Sequence, residues 1–200
     1  MASTLFDVEE VQLETKSNEW FTPRVYIEAA RAVMQGIDLD PASCELANQT
    51  VKAARYYTKE DDGLSKDWHG RVWCNPPWSR TGGPNGTRSS IGKWAHVLID
   101  HYEAGRVEQA VLFIAAHTKG LWFAPLWKYP LCFTDHCVKF NRPGQETEDL
   151  RDSTVFTYLG PYISSFVDIF TEFGPVITPD GVHRRPAPLP QPTLWDQEVT

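Results

Sequence analysis

Two hundred residues and 22.7 kDa make a single domain with a full core the simplest organisation. An apolar fraction of 42% and a charged fraction of 22% are ordinary for a soluble globular chain. No apolar run reaches the roughly 18–20 residues that a membrane-spanning helix needs. The net charge of −7 argues against strong non-specific binding to a polyanion, so a nucleic-acid partner would require a localised basic face.

In chain order, residues 1–18 carry Asp7, Glu9, Glu10 and Glu14, lack the character of a signal peptide, and read as a mobile arm. Thr22-Pro23 reads as an N-cap followed by proline at the first helical position, with Ile27, Ala30, Val33 and Met34 at helical spacing up to Gly36. Ile37 to Leu39 reads as a short strand running into Asp40-Pro41-Ala42-Ser43. A helix follows Ser43, and Arg55 to Thr58 is a weak strand. Val72-Trp73-Cys74 is a strand that ends at Asn75. Ser79 to Ile91 is rich in Gly, Ser, Thr and Arg and reads as a mobile loop. A helix is expected over 93–104, and a buried strand over 110–115 (AVLFIA). A short helix (119–127) and strands at 131–133 and 154–159 come next. A helix (162–173) and a last strand at Val176-Ile177 complete the pattern.

Alternation of strands and helices predicts an α/β open, mostly parallel sheet flanked by helices, with ligands at the carboxyl ends of its strands. The expected organisation is an arm (1–18), one domain (19–178) and a Pro-rich tail (179–200) containing PAPLPQP. Four sparse cysteines suit a reducing, cytoplasmic setting without disulfides. Cys132, His136 and Cys137, with His117, match no closed zinc spacing, so no metal is expected.

Asn75-Pro76-Pro77-Trp78 is the most telling segment. Its chemistry is that of a clamp for a flat group bearing an exocyclic amine. The Asn75 side-chain oxygen accepts one N–H, the Pro76 carbonyl accepts the other, and Trp78 offers a stacking face. The plain alternative is a turn whose Trp fills the core. Gly36 to Ser43 (GIDLDPAS) places Asp38 and Asp40 near a helix start, an arrangement suited to a zwitterionic ligand with ribose hydroxyls or, more simply, to helix capping. Trp20-Phe21-Thr22-Pro23 reads as a carboxylate-binding helix start with covering aromatics, or as an N-cap with a hydrophobic staple.

These segments, together with Asp61-Asp62-Gly63-Leu64 and Trp68, fall in an order that resembles phage-type (Dam-like) DNA N6-adenine methyltransferases. The resemblance implies a Rossmann-like fold and S-adenosylmethionine (SAM) as methyl donor. It also implies double-stranded DNA as substrate; protection from restriction and regulation both stand open as its purpose. Thr22-Pro23 and Asp40-Pro41-Ala42 resemble the donor-binding segments, Asn75 to Trp78 the catalytic motif, and either Asp61 or Asp62 an acidic donor contact. Two departures stand out: Trp78 where Tyr or Phe is commoner, and a donor turn without glycines. Base flipping is expected, with Arg80, Arg88 and Lys93 meeting DNA. Cys74 is expected in the core rather than as a nucleophile. A methyltransferase acting on another planar amine, such as a glutamine side chain or an RNA base, is the second reading. An inactive DNA-binding relative is the third.

Overall fold

The computed structural model describes residues 21–78, 80–81, 88–140, 148–149 and 153–185, of which the side chains at 80–81, 88–90 and 148–149 are excepted. The arm at 1–18, Trp20, Ser79 and most of the Pro-rich tail therefore lie outside the described residues.

The elements are α1 (Arg24–Met34), β1 (Leu39–Asp40), α2 (Glu45–Val51), β2 (Arg55–Tyr56), a 3-10 turn (Gly63–Ser65), β3 (Gly70–Cys74), β4 (Arg80–Thr81) and β5 (Arg88–Ser89). There follow α3 (Ser90–Glu103), β6 (Val107–Ala115), a 3-10 helix (Leu121–Lys128), β7 (Leu131–Phe133), β8 (Lys139–Phe140), β9 (Glu148–Asp149), β10 (Thr154–Leu159), α4 (Ile163–Phe170), β11 (Val176–Thr178) and β12 (Gly181–His183). Eight strands form one sheet in the order β12-β11-β7-β10-β6-β3-β1-β2, while β4-β5 and β8-β9 are separate two-stranded ribbons.

The sheet is mixed rather than mostly parallel. The β2-β1-β3-β6 half is parallel. From β6 to β12 every pairing is antiparallel. An apolar run such as that of β6 reports burial on both faces and carries no information on the direction of its neighbours.

Period-two alternation along β6 feeds both faces. Val111 and Phe113 join Ile27, Ala30, Val33 and Met34 of α1 and Phe166 and Phe170 of α4. Ala110, Leu112 and Ile114 join Trp94, Ala95 and Leu98 of α3 and Phe123. Phe113 and Phe156 stack at a centroid distance of 4.1 Å across the β6–β10 pair. Each such ring, fully buried, contributes about 1.5–3 kcal/mol.

Several sequence expectations shift. Helix α1 begins at Arg24, and Pro23 at its N-cap supplies no side-chain cap, so Thr22 does not cap it. Cys44, not Ser43, precedes α2, its Sγ accepting from the Ala47 N–H at 3.5 Å. The stretch read as a loop contains the β4–β5 ribbon, and α3 starts at Ser90 rather than Lys93. Strand β12 carries the sheet to His183, into the stretch read as tail.

Chain direction within the sheet sets where a ligand can sit. From β1 the chain crosses through α2 to β2, toward one edge. From β3 it crosses through α3 to β6, toward the other. Val51 of α2 packs on the α1 face and the apolar side of α3 on the opposite face, as right-handed crossovers running in opposite directions require. The strand order therefore reverses between β1 and β3. In open α/β sheets the crevice at such a reversal, outside the carboxyl ends of the strands, is where ligands bind.

Candidate active site

Asp40 is the last residue of β1, and Asn75 follows the last residue of β3. The two segments singled out in the sequence thus meet at the reversal. Proline explains the abrupt exit of both strands: Pro41, Pro76 and Pro77 have no N–H to continue a ladder.

Asn75 is half-buried, and its amide nitrogen donates to the Thr22 hydroxyl at 2.8 Å. With the amide donor engaged, its carbonyl oxygen is left to accept. Among the described residues, no N–H takes the Pro76 carbonyl. Pro76 is buried and Pro77 exposed. Trp78 is half-buried, wedged edge-on against Phe113 (5.6 Å, 74°) and Phe140 (5.5 Å, 80°). It is thus partly the core residue of the plain alternative. Its indole N–H is buried without a partner among the described residues.

Asp40 is buried, and one carboxylate oxygen accepts the Ala42 N–H at 3.2 Å. Burial pushes its carboxyl up to about 7, although the Ala42 amide and the nearby Ser43 hydroxyl both favour the anion. The Ser43 hydroxyl forms no well-shaped hydrogen bond, and its oxygen is buried without a partner among the described residues. Backbone bonds lace this turn to β2: Tyr57 N–H to Asp40 O, and Ser43 N–H to Tyr57 O.

The Asp61-Asp62-Gly63-Leu64 segment follows β2 and rests on the same turn. A Cβ at Gly63 would lie 2.0 Å from the Pro41 carbonyl oxygen, so only glycine permits this approach. The Trp68 indole donates to the Gly63 carbonyl at 2.8 Å and fixes the segment from below. Asp61 accepts from the Thr58 amide and hydroxyl, which hold its carboxyl below the usual range. It is a turn-closing residue. The Asp62 carboxylate meets no partner among the described residues and is the freer of the two.

Asp38 is elsewhere. It receives a two-pronged Arg71 guanidinium (Nη2 to Oδ1 2.7 Å, Nε to Oδ2 2.8 Å) and the Arg71 backbone N–H at 2.9 Å. This pairing holds its carboxyl low and ties β1 to β3 at their amino ends, away from Asn75. Arg71 is accordingly not one of the site's basic residues. Lys93 is exposed in the first turn of α3; the side chains of Arg80 and Arg88 lie outside the described residues, as does Trp20. Phe21 and Pro23 are half-buried beside Thr22.

Cys74 is fully buried, and burial together with Asp40 pushes its thiol well up, which makes it inert. None of the four cysteines is in a disulfide. Cys132 donates to the Phe170 carbonyl inside the core, and among the described residues no three His, Cys, Asp or Glu side chains are grouped to hold a metal ion. No described helix is long and apolar enough to cross a membrane.

One arrangement had no sequence signal. Tyr26 of α1 bonds His136 Nε2 through its hydroxyl at 2.7 Å, and Asp135 holds His136 Nδ1 at 2.8 Å. With Pro23, Val25, Cys137 and Lys139, Tyr26 and His136 line a hollow of about 410 Å³ next to Thr22. These partners are 110 residues apart in sequence, beyond any local motif.

A family described as DNA N-6-adenine-methyltransferase (Dam) matches residues 10–129. The chain belongs to the Dam family. The span matched to the Dam family includes Thr22, the Asp40 turn, the Gly63 segment and Asn75 to Trp78, and ends before His136 and Phe140. Comparisons with curated proteins and with solved structures return no match. Family membership implies DNA adenine methylation as the activity and DNA as the substrate.

Proposed function

We propose that this protein transfers a methyl group from SAM to N6 of adenine in double-stranded DNA, with the target base flipped into the crevice between the ends of β1 and β3. The observation that carries this reading is the Asn75 carboxamide. It stands at the strand-order reversal, its donor engaged by Thr22 and its oxygen, without a partner among the described residues, able to accept an amine N–H. Helices on both faces and the reversal itself are features of a Rossmann-like fold.

The residues suit the donor. An orphaned Ser43 hydroxyl and a buried Asp40 carboxylate with lone pairs to spare lie on one turn, the segment carrying the unpartnered Asp62 packs against that turn through Gly63, and all three side chains are acceptors for ribose or amino groups. The start of α1 is joined to Asn75 through Thr22. When bound, SAM supplies an electrophilic methyl group on a sulfonium.

Everything else is the work of the chain. The adenine amine is a poor nucleophile because its lone pair is delocalised into the ring. Hydrogen bonds from its two N–H groups to Asn75 Oδ1 and the Pro76 carbonyl pull the nitrogen toward a tetrahedral geometry and free the lone pair. Trp78, clamped by Phe113 and Phe140, offers its remaining face to the flipped ring, offsetting a few kcal/mol of lost stacking. Positioning and electrostatics supply the rate without a covalent intermediate, consistent with an inert Cys74.

The test is transfer of labelled methyl from SAM to unmethylated duplex DNA, followed by digestion to nucleosides. Wild type should yield N6-methyladenine, and Asn75→Ala should lower the rate at least about a hundredfold. Donor binding without any label in DNA of varied sequence would move the reading to another planar amine. Absence of donor binding as well would leave a non-enzymatic relative.

A further inference from the structure

We infer that Thr22 is a positioning residue for the Asn75 carboxamide rather than a helix cap or a donor ligand; this rests on the methyl-transfer reading above. A threonine immediately before a proline and a helix is expected to turn its hydroxyl onto the helix's first N–H groups. Here α1 has no side-chain cap, and the Thr22 hydroxyl spans 53 residues of sequence to meet Asn75 Nδ2 at 2.8 Å. The side chain is buried, so this bond is sheltered from water.

A carboxamide has two nearly equal orientations related by a half-turn about its last bond, and only one suits the proposed clamp. With the nitrogen on Thr22, the oxygen faces the crevice and accepts from an amine. With the oxygen on Thr22, the NH2 group faces the crevice and meets the substrate amine donor to donor. A hydroxyl can accept from the nitrogen or donate to the oxygen, so it serves the chemistry by anchoring the carboxamide beside the crevice, in the observed structure with the nitrogen on Thr22, and it does so without touching substrate. Because Thr22 and Pro23 enter α1, the bond also couples the angle at which the chain enters that helix to the end of β3.

Three chains decide the matter: Thr22→Val, which keeps the shape and removes the hydroxyl; Thr22→Ser, which restores it; and wild type. Single-turnover methyl transfer to duplex DNA, the equilibrium constant for SAM and the melting temperature are measured for each. The expected result for Thr22→Val is a transfer rate lower by about ten- to a hundredfold at saturating donor, with SAM affinity within twofold of wild type. Thr22→Ser should recover most of that rate. Should Thr22→Val fail to fold, Thr22→Ala is read the same way. A folded variant that keeps the wild-type rate overturns the positioning role. So does one whose whole loss is in SAM affinity, which would make Thr22 a donor contact. A wild type that binds SAM and leaves DNA unmethylated overturns instead the reading on which the role depends.

Discussion

Asp40 carries a pH dependence of its own. Its carboxyl stands at about 7 in the folded chain and near 3.9 in an unfolded one, because burial disfavours the anion more than the Ala42 and Ser43 contacts support it. The folded state therefore binds the proton more tightly. The associated stability is fully present below the unfolded value and is lost as pH rises through about 7. Between pH 5 and 8 this amounts to roughly 2–3 kcal/mol, at about 1.4 kcal/mol per unit. Asp40→Asn should remove it. Urea unfolding of both chains at the two pH values measures the effect as a difference, which cancels His101, whose burial-lowered imidazole slopes the other way in both. Equal slopes in the two chains would mean that Asp40 is ionised throughout. The sequence marks Asp40 by its place before a Pro-Ala-Ser turn. Its proton affinity is invisible there, because burial comes from packing against residues distant in sequence, Cys74 of β3 among them. The same holds for Thr22, whose neighbours say cap while its partner is on another strand.

At the scale of elements, the contact between the Gly63 segment and the Pro41 turn holds in place the wall proposed above for the donor. Gly63→Ala forces a methyl group to within 2.0 Å of a backbone oxygen that cannot swing aside. The segment must move, at about 1–3 kcal/mol of stability. SAM affinity should fall at least tenfold, measured by titration calorimetry, and an unchanged affinity would separate this segment from the donor. The position of the segment after β2 was legible as an acidic turn with a glycine. The reason for the glycine was not, since Pro41 precedes it by two elements. Likewise α1, α3 and β6 were legible from apolar spacing, because each buries a face or both faces. The β4–β5 and β8–β9 ribbons were not, since two-residue strands carry no periodicity to read.

Over the whole molecule, the Asp38–Arg71 pair and the proposed chemistry occupy opposite ends of the strands. The Asp38–Arg71 fork closes the amino ends of β1 and β3, and the crevice opens at their carboxyl ends. Alternation along β1 puts Asp38 and Asp40 in phase but cannot tell which end of the sheet each one serves. Arg71→Leu should lower stability by about 1 kcal/mol, as for a partly exposed charged pair, and leave both SAM affinity and transfer rate within twofold. A tenfold loss of SAM affinity in Arg71→Leu or Asp38→Asn would bring this pair back into the site. The parallel half of the sheet was anticipated from strand–helix alternation. The antiparallel half was not, because its strands are joined by connections whose direction leaves no mark on composition.

The parallel ladder has a consequence for the order in which the chain is made. Asn75 emerges early in synthesis, but β3 is flanked on one side by β6, at Val107–Ala115, and β6 is itself flanked by β10, at Thr154–Leu159. Until those later strands arrive, β3 is an unsupported edge, and the strand that aims the carboxamide has a partner on one side only. A newly made chain therefore extends from Trp78 to Val107 with the proposed site residues already present and one side of β3 still unpaired. The strand that aims the carboxamide gains its second neighbour only with β6, and β6 gains its own outer neighbour only with β10.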